Sequence, residues 1–337
     1  AHSAVCEERY PPDSEECQYV QELEQKAEQG DESAQFALGS WYAEGRYVKP
    51  DYKLAIKWLE KAGKQGSDFS YFILGYHYNY GENFPLSRQK ALEWYRKAAE
   101  LGDSSTQEIL GDAYMYGDGF PQNTQLALEW YRRAAAQGLA EAQDAIGVMF
   151  MQGEGVSQDY QQALAWYRKA ARQGLPAAQT HLGIMSAFGR GVAQSDRQAI
   201  AWYRKAAKQD FAKAQYQLGV AYSTGRGVPE NSRNALKWYL KAAEQGFTPA
   251  QLALGEIYAH GRQGVPKDNK QAYIWYYMAS IYTEKSKDDC SALIAERNRL
   301  KGTLTPDQLS ETYAAFDLIR RKINQSKEAK KIARKKY

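Results

Sequence analysis

The stretch Ala206-Ala207-Lys208-Gln209-Asp210-Phe211-Ala212-Lys213-Ala214-Gln215-Tyr216-Gln217-Leu218-Gly219-Val220-Ala221-Tyr222-Ser223-Thr224-Gly225-Arg226-Gly227-Val228 decides the fold, because the same string returns along the chain. Its Leu218-Gly219 pair recurs at Leu38-Gly39, Leu74-Gly75, Leu110-Gly111, Ile146-Gly147, Leu182-Gly183 and Leu254-Gly255, each 36 residues from the next. Trp58, Trp94, Trp130, Trp166, Trp202 and Trp238 keep the same step. Trp275 falls one residue late, because the turn Gly261-Arg262-Gln263-Gly264 is one residue longer than Gly117-Asp118-Gly119. A period of this length marks stacked supersecondary units, each burying its apolar face on its neighbours.

Each unit reads as two helices. Ala214, Leu218, Gly219 and Tyr222 stand at i, i+4, i+5 and i+8, one helical face. In the first unit this helix is predicted from about Ala34 to Glu44. A glycine inside a helix costs about 1 kcal/mol relative to alanine, so its recurrence predicts an approach too close for a Cβ. The second helix opens at Asp51, Ser87, Asn123, Asp159, Ser195, Asn231 or Asp268, all good N-caps, with alanine four residues later in every unit. It closes at Gly30, Gly66, Gly102, Gly138, Gly174 and Gly246, the left-handed cap position, and once at Asp210, a residue type that tolerates that conformation. The period also assigns much of an aromatic-rich composition, 26 Tyr and 8 Trp, to packing positions.

This pattern resembles the Sel1-like repeat family, relatives of the tetratricopeptide repeats, over roughly residues 20 to 284. It departs at Ser186, where tyrosine is expected, and at Tyr47, where the second turn glycine is expected. The resemblance implies an all-α, right-handed superhelical α/α solenoid of about seven 36-residue repeats with capping helices. The organisation is then an extension over 1–18, a capping helix over 19–30, repeats over 31–284, C-terminal capping helices over 285–324 and a basic tail over 325–337.

The ends differ from the units, as terminal repeats must. Tyr19 to Gln29 reads as a lone second helix. Before it, Cys6 and Cys17 are spaced to close a disulfide, a staple suited to an oxidising compartment; two free thiols are the other reading. A start at Ala1 without methionine is what signal-peptide removal leaves, and equally what a truncation leaves. Cys290 reads as a free thiol. Beyond the repeats, Asp288 to Leu300 reads as a helix, and Thr305-Pro306-Asp307-Gln308 opens another that runs to about Asn324. Leu309, Tyr313, Phe316, Leu318 and Ile319 give that helix its apolar side, to cover repeat seven. From Arg320 to Tyr337 nine Lys/Arg meet one Glu, so the net charge of +4 divides into +8 here and −4 elsewhere. The tail reads as a solvated helix end, with contact to anionic lipid or an acidic partner as the functional alternative.

The chemistry is sparse. The near-balance of 44 Lys+Arg against 40 Asp+Glu argues against a dedicated nucleic-acid protein. No apolar run approaches the ~20 residues of a membrane span. Four His and three Cys show no metal-ligand spacing, so no metal and no cofactor is expected. Gly117-Asp118-Gly119 lacks the strand and Lys-Ser/Thr of a phosphate loop, and Ser195 is explained by its place among the N-caps. The expectation is a protein that is not an enzyme; a peptidoglycan- or lipid-active envelope enzyme is the rival of a different class.

Three slots beside the framework vary. Two before Leu-Gly stand Phe72, Glu108, Asp144 and Tyr216. Just after the glycine stand Tyr76, Asp112, Val148, Ile184 and Val220. Before the turn stand Tyr80, Tyr116 and Phe188, with Met151 one residue earlier in its own unit. In tetratricopeptide arrays first-helix residues line a concave surface, so the resemblance implies that these thirteen residues bind a protein or peptide; the alternative is that several of the aromatics pack inside. The resemblance further implies an interaction scaffold of the bacterial envelope, periplasmic or secreted. Its specific alternative is a periplasmic immunity protein blocking a type VI secretion phospholipase, a lipase effector.

Overall fold

All seven expected caps open a helix. In the computed structural model Asp51 accepts from the Lys53 and Leu54 amides, Ser87 from Lys90 and Asn123 from Leu126. Asp159 accepts from Gln161 and Gln162, Ser195 from Gln198, Asn231 from Asn234 and Asp268 from Gln271. Each bond satisfies amides that a helix start leaves without a partner. At the other end Gly30, Gly66, Gly102, Gly138, Gly174 and Gly246 all take positive φ, and Asp210 joins them at 55°. Tyr47 adopts φ 62° where glycine was expected, with its ring against Trp41 at 4.6 Å.

The structure describes residues 11, 14–262, 264–283 and 291–335, which are all-α with no strand. Two compact units divide the chain, Ala1–Trp166 and Tyr167–Tyr337. The first holds α1 (Glu15–Glu28), α2 (Glu32–Glu44), α3 (Tyr52–Lys64), α4 (Asp68–Tyr80), α5 (Arg88–Leu101), α6 (Ser104–Tyr116), α7 (Thr124–Ala136) and α8 (Ala140–Gln152), with α9 (Tyr160–Arg172) at the boundary. The second holds α10 (Pro176–Phe188), α11 (Asp196–Ala207), α12 (Ala212–Thr224), α13 (Ser232–Ala243), α14 (Thr248–His260), α15 (Asn269–Thr283), α16 (Ser291–Lys301) and α17 (Pro306–Lys335). Within each unit consecutive helices pack as pairs, the α/α solenoid arrangement.

The helical glycine has the reason its recurrence suggested. A Cβ on Gly111 would lie 2.4 Å from the ring of Tyr131, the residue after Trp130 on the second helix. At Gly39 the second helix carries Leu59 in place of tyrosine, and the clash is 2.6 Å from its Cγ.

A buried glutamine ladder joins one repeat to the next. Gln35, Gln107 and Gln251 donate to the carbonyls of Ala27, Ala99 and Ala243, near the end of the preceding second helix. A second glutamine, 30 residues on, donates to the first: Gln65 to Gln35, Gln137 to Gln107, Gln209 to Gln179 and Gln245 to Gln215. Gln65, Gln137 and Gln209 also donate to the carbonyls of Gly30, Gly102 and Gly174. The glutamines thus add donors at the helix ends, the Ala27, Ala99 and Ala243 carbonyls accepting also from the Gly30, Gly102 and Gly246 amides. The second repeat breaks both halves together: Tyr71 replaces the first glutamine and Leu101 the second. Tyr71 stacks on Trp94 at 5.8 Å, and Gly63, where the second to sixth units have alanine, leaves room for its ring, which a Cβ would meet at 2.5 Å. In the seventh repeat Ile281 and Tyr282 stand where the second glutamine would fall, and Gln251 Oε1 has no donor among the described residues.

Both ends are covered. α1 buries Cys17, Val20 and Ala27. Cys17 is disulfide-bonded; Cys6, its expected partner, and Cys290 lie outside the described residues. At the other end Thr305 and Gln308 exchange side chain-to-amide bonds, a full capping box at the start of α17. Phe316 stacks on Tyr277 at 4.1 Å and Lys322 pairs with Glu244 at 2.5 Å. Two expectations are corrected here. The buried stripe is Thr312, Phe316, Ile319 and Ile323, spaced i, i+4, i+7 and i+11, whereas Tyr313 and Leu318 fall to either side of it and are exposed. The helix also passes Asn324 and continues to Lys335, since no glycine or proline follows Pro306.

Candidate protein-binding surface

The variable residues stand on the first helices, and the structure separates them by accessibility. Tyr80, Tyr116 and Phe188, all from the slot before the turn, are 62%, 74% and 59% exposed. Phe72, Tyr76, Glu108, Asp112, Asp144, Val148, Met151, Ile184, Tyr216 and Val220 are half-buried. Several of these also pack inward. Tyr216 touches Tyr239 and Phe247 at 5.7 and 5.5 Å, and Ile184 and Val220 lie against the cores of the second unit.

In the first unit the aromatics form a connected row. Phe36 meets Phe69 at 5.7 Å, Phe69 stacks on Phe72 at 5.7 Å with planes 11° apart, Phe72 meets Tyr76 at 6.5 Å, and Tyr76 meets Tyr80 at 5.3 Å. Phe69, 54% exposed, belongs to the row although it lies outside all three variable slots. It sits in the first turn of α4, where the repeat carries no fixed residue type, so the period drew no attention to it.

Carboxylates gather one repeat further on. Glu108, Asp112 and Tyr116 stand at i, i+4 and i+8 of α6 and share one helical face; partial desolvation of the Tyr116 hydroxyl and the charges of Asp112, Glu154 and Glu108 raise it above its ordinary range. Asp112 is also a packing residue: its Oδ1 accepts the Tyr131 hydroxyl at 2.6 Å, and burial together with that bond pushes the Tyr131 pKa up.

Charge is sorted by helix type. In the first unit α2, α4, α6 and α8 carry Glu32, Glu44, Asp68, Glu108, Asp112, Glu141 and Asp144 and not one lysine or arginine. Their partners α3, α5 and α7 carry Lys53, Lys57, Lys61, Lys64, Arg88, Lys90, Arg96, Lys97, Arg132 and Arg133 against Glu60, Glu93, Glu100 and Glu129. Many of these cations sit over the recurrent tryptophan: Lys61 over Trp58 at 4.7 Å, Lys97 over Trp94 at 4.2 Å, Arg133 over Trp130 at 4.6 Å. In the second unit the first helices are nearly neutral, and Phe188 is flanked by Arg190 and Arg226 at 5.4 and 6.0 Å. Among the described residues no helix is long and apolar enough to cross a membrane, and no cluster of three His, Cys, Asp or Glu gathers to hold a metal ion.

Paired helices stacked at a 36-residue step define a scaffold of the repeat class. The family is shown by comparison. The Sel1 repeat model matches seven segments, residues 32–67, 69–103, 104–139, 140–175, 176–211, 212–247 and 248–280, and the chain belongs to the Sel1 repeat family. Such all-α repeat proteins are characteristically non-catalytic scaffolds. The Sel1 repeat protein from Oxalobacter formigenes is 34% identical, with a TM-score of 0.69 over 83% of this chain and 80% of that one. The protective antigen c5321 of uropathogenic Escherichia coli is 32% identical, with a TM-score of 0.64 over 91% of this chain; the match spans 64% of the antigen's length. The immunity protein Pa5087 of Pseudomonas aeruginosa is 22% identical, with a TM-score of 0.46 over 64% of this chain and 81% of that one. No curated protein matches.

Proposed function

We propose that this chain is a scaffold of the cell envelope that binds a protein partner through the exposed first-helix residues. The observation carrying this reading is the accessible aromatic row of the first unit, ending in Tyr80, with Tyr116 at the equivalent place one repeat on. Large aromatic side chains kept partly in water are what an interface anchors on, and a rigid repeat framework lowers the ordering cost of association. The disulfide at Cys17 supports an oxidising compartment, hence export. Photo-crosslinking in the source cells tests the surface. A crosslinker at Tyr80 or Tyr116 should trap a protein partner, whereas one at Glu93 or Glu129 on the second helices should not. Crosslinks from the second helices alone would move the interface to the other face.

A further inference from the structure

Resting on that reading, we infer that the first-helix face of the first unit selects a protein segment in which lysine or arginine stands beside aromatic or bulky aliphatic residues. Three observations converge. The first helices α2, α4, α6 and α8 contain carboxylates and no cation, while the second helices carry the compensating basic charge, so these first helices are net negative in a chain whose net charge is +4. Among the described residues Tyr116 is the most exposed of the large apolar side chains, and it shares one face of α6 with Glu108 and Asp112, at i+8 and i+4 from them. One repeat earlier runs the ring row from Phe69 to Tyr80, which includes the stacked pair Phe69 and Phe72.

The chemistry of the occupant follows. Rings in water take apolar anchors by burial and cations by their π faces. Carboxylates beside them attract lysine and arginine and repel phosphate and acidic peptides. A nucleic acid or an anionic lipid surface is therefore the wrong partner for this face.

The test uses the full chain and three labelled synthetic peptides of equal length, read by fluorescence anisotropy. One alternates Lys/Arg with Leu/Tyr, the second replaces its cations with Glu/Asp, and the third keeps the cations and replaces Leu/Tyr with Gly/Ser. The first should bind at least about tenfold more tightly than either other, and weaken as salt rises from about 50 to about 500 mM. Phe69→Ala and Tyr116→Ala should each weaken it by about tenfold, and Glu154→Gln should flatten the salt dependence, with helicity unchanged. Equal or tighter binding of the acidic peptide, no binding of any peptide, or indifference to these variants overturns the inference. If both charge types bind alike and Tyr116→Ala weakens both, charge selection falls while the protein-binding reading stands; crosslinks confined to the second helices would remove the reading itself. Self-association of the chain that vanishes when residues 325–337 are deleted would put its own basic tail on this face and also overturn the inference.

Discussion

Gly111 inverts the usual rule for a helix interior. Helix propensity alone makes Gly→Ala stabilising by about 1 kcal/mol, yet the new Cβ would meet the Tyr131 ring at 2.4 Å. That ring is buried and tied by its hydroxyl to Asp112, so it has little room to yield. Overpacking of this kind costs about 1–3 kcal/mol. Gly111→Ala should therefore lower the urea midpoint; a raised midpoint would show that the ring moves freely. The glycine was legible because it recurs, but its partner was not: a tyrosine 20 residues on, in another helix, leaves no local mark. His77 was equally silent. Its ring stacks on Phe84 at 5.1 Å, and its buried Nδ1 has no partner among the described residues. Burial lowers its pKa, with Glu44 pulling the other way. Unfolded histidine titrates near 6.5, so below that value the unfolded chain binds more protons than the folded one. This contribution to stability is complete above about pH 6.5 and is lost as pH falls through 6.5 towards the lowered value. Melting curves between about pH 7.5 and 5.5 should show a larger fall for the native chain than for His77→Phe; parallel curves would remove His77 as the cause.

At the level of elements, the helix starts were readable because a cap is local: one side chain bonds an amide two or three residues away. The glutamine ladder was visible as a repeated letter but not as a device, because its two halves lie 30 residues apart. The paired exchange for Tyr71 and Leu101 indicates that the two glutamines act as one unit. Gln107→Leu alone should cost about 1 kcal/mol, since it removes the second donor of the Ala99 carbonyl, which keeps the Gly102 amide, and the acceptor of one Gln137 bond. Gln107→Leu with Gln137→Leu should cost less than the sum of the single changes in a denaturation cycle; strict additivity would deny the coupling. The C-terminal helix was misjudged in length for the opposite reason. A run of cations suggested a frayed tail, but Lys, Arg and Ala are good helix formers and nothing breaks the run before Lys335. At the other end the partner of Cys17 can be settled by mapping. With three cysteines in the chain, a non-reducing digest should yield the Cys6–Cys17 peptide pair; a Cys17–Cys290 pair would replace the N-terminal staple with a long-range tie.

For the whole molecule, the repeat makes a sharper claim than any single contact: a unit is separable. Removing residues 104–139 takes out α6 and α7 together with the Gln107–Gln137 pair that serves them. The new junction places Asp103, which already caps α6 through the Thr106 amide, ahead of Ala140, where Leu139 makes no side-chain cap. Gln143, which bonds the Ala135 carbonyl, would meet the Ala99 carbonyl in the same register. The glutamine and cap contacts then have counterparts, while the Arg96 bond to the Tyr114 hydroxyl has none, since Phe150 takes that place; the main cost is one repeat and one interface, as in a nearest-neighbour array. The shortened chain should keep its helicity per residue and a cooperative urea transition, at a lower midpoint. The same deletion removes Glu108, Asp112 and Tyr116, the centre of the acidic and aromatic face, so affinity for the Lys/Arg–Leu/Tyr peptide should drop by more than about tenfold. A deletion variant that aggregates would show the repeats to be less interchangeable than their spacing implies. One that folds and still binds the peptide at full strength would place recognition outside the third repeat. Neither the negative first helices nor their separability shows in a net charge of +4, because in the first unit opposite charges alternate every half repeat and cancel in the total.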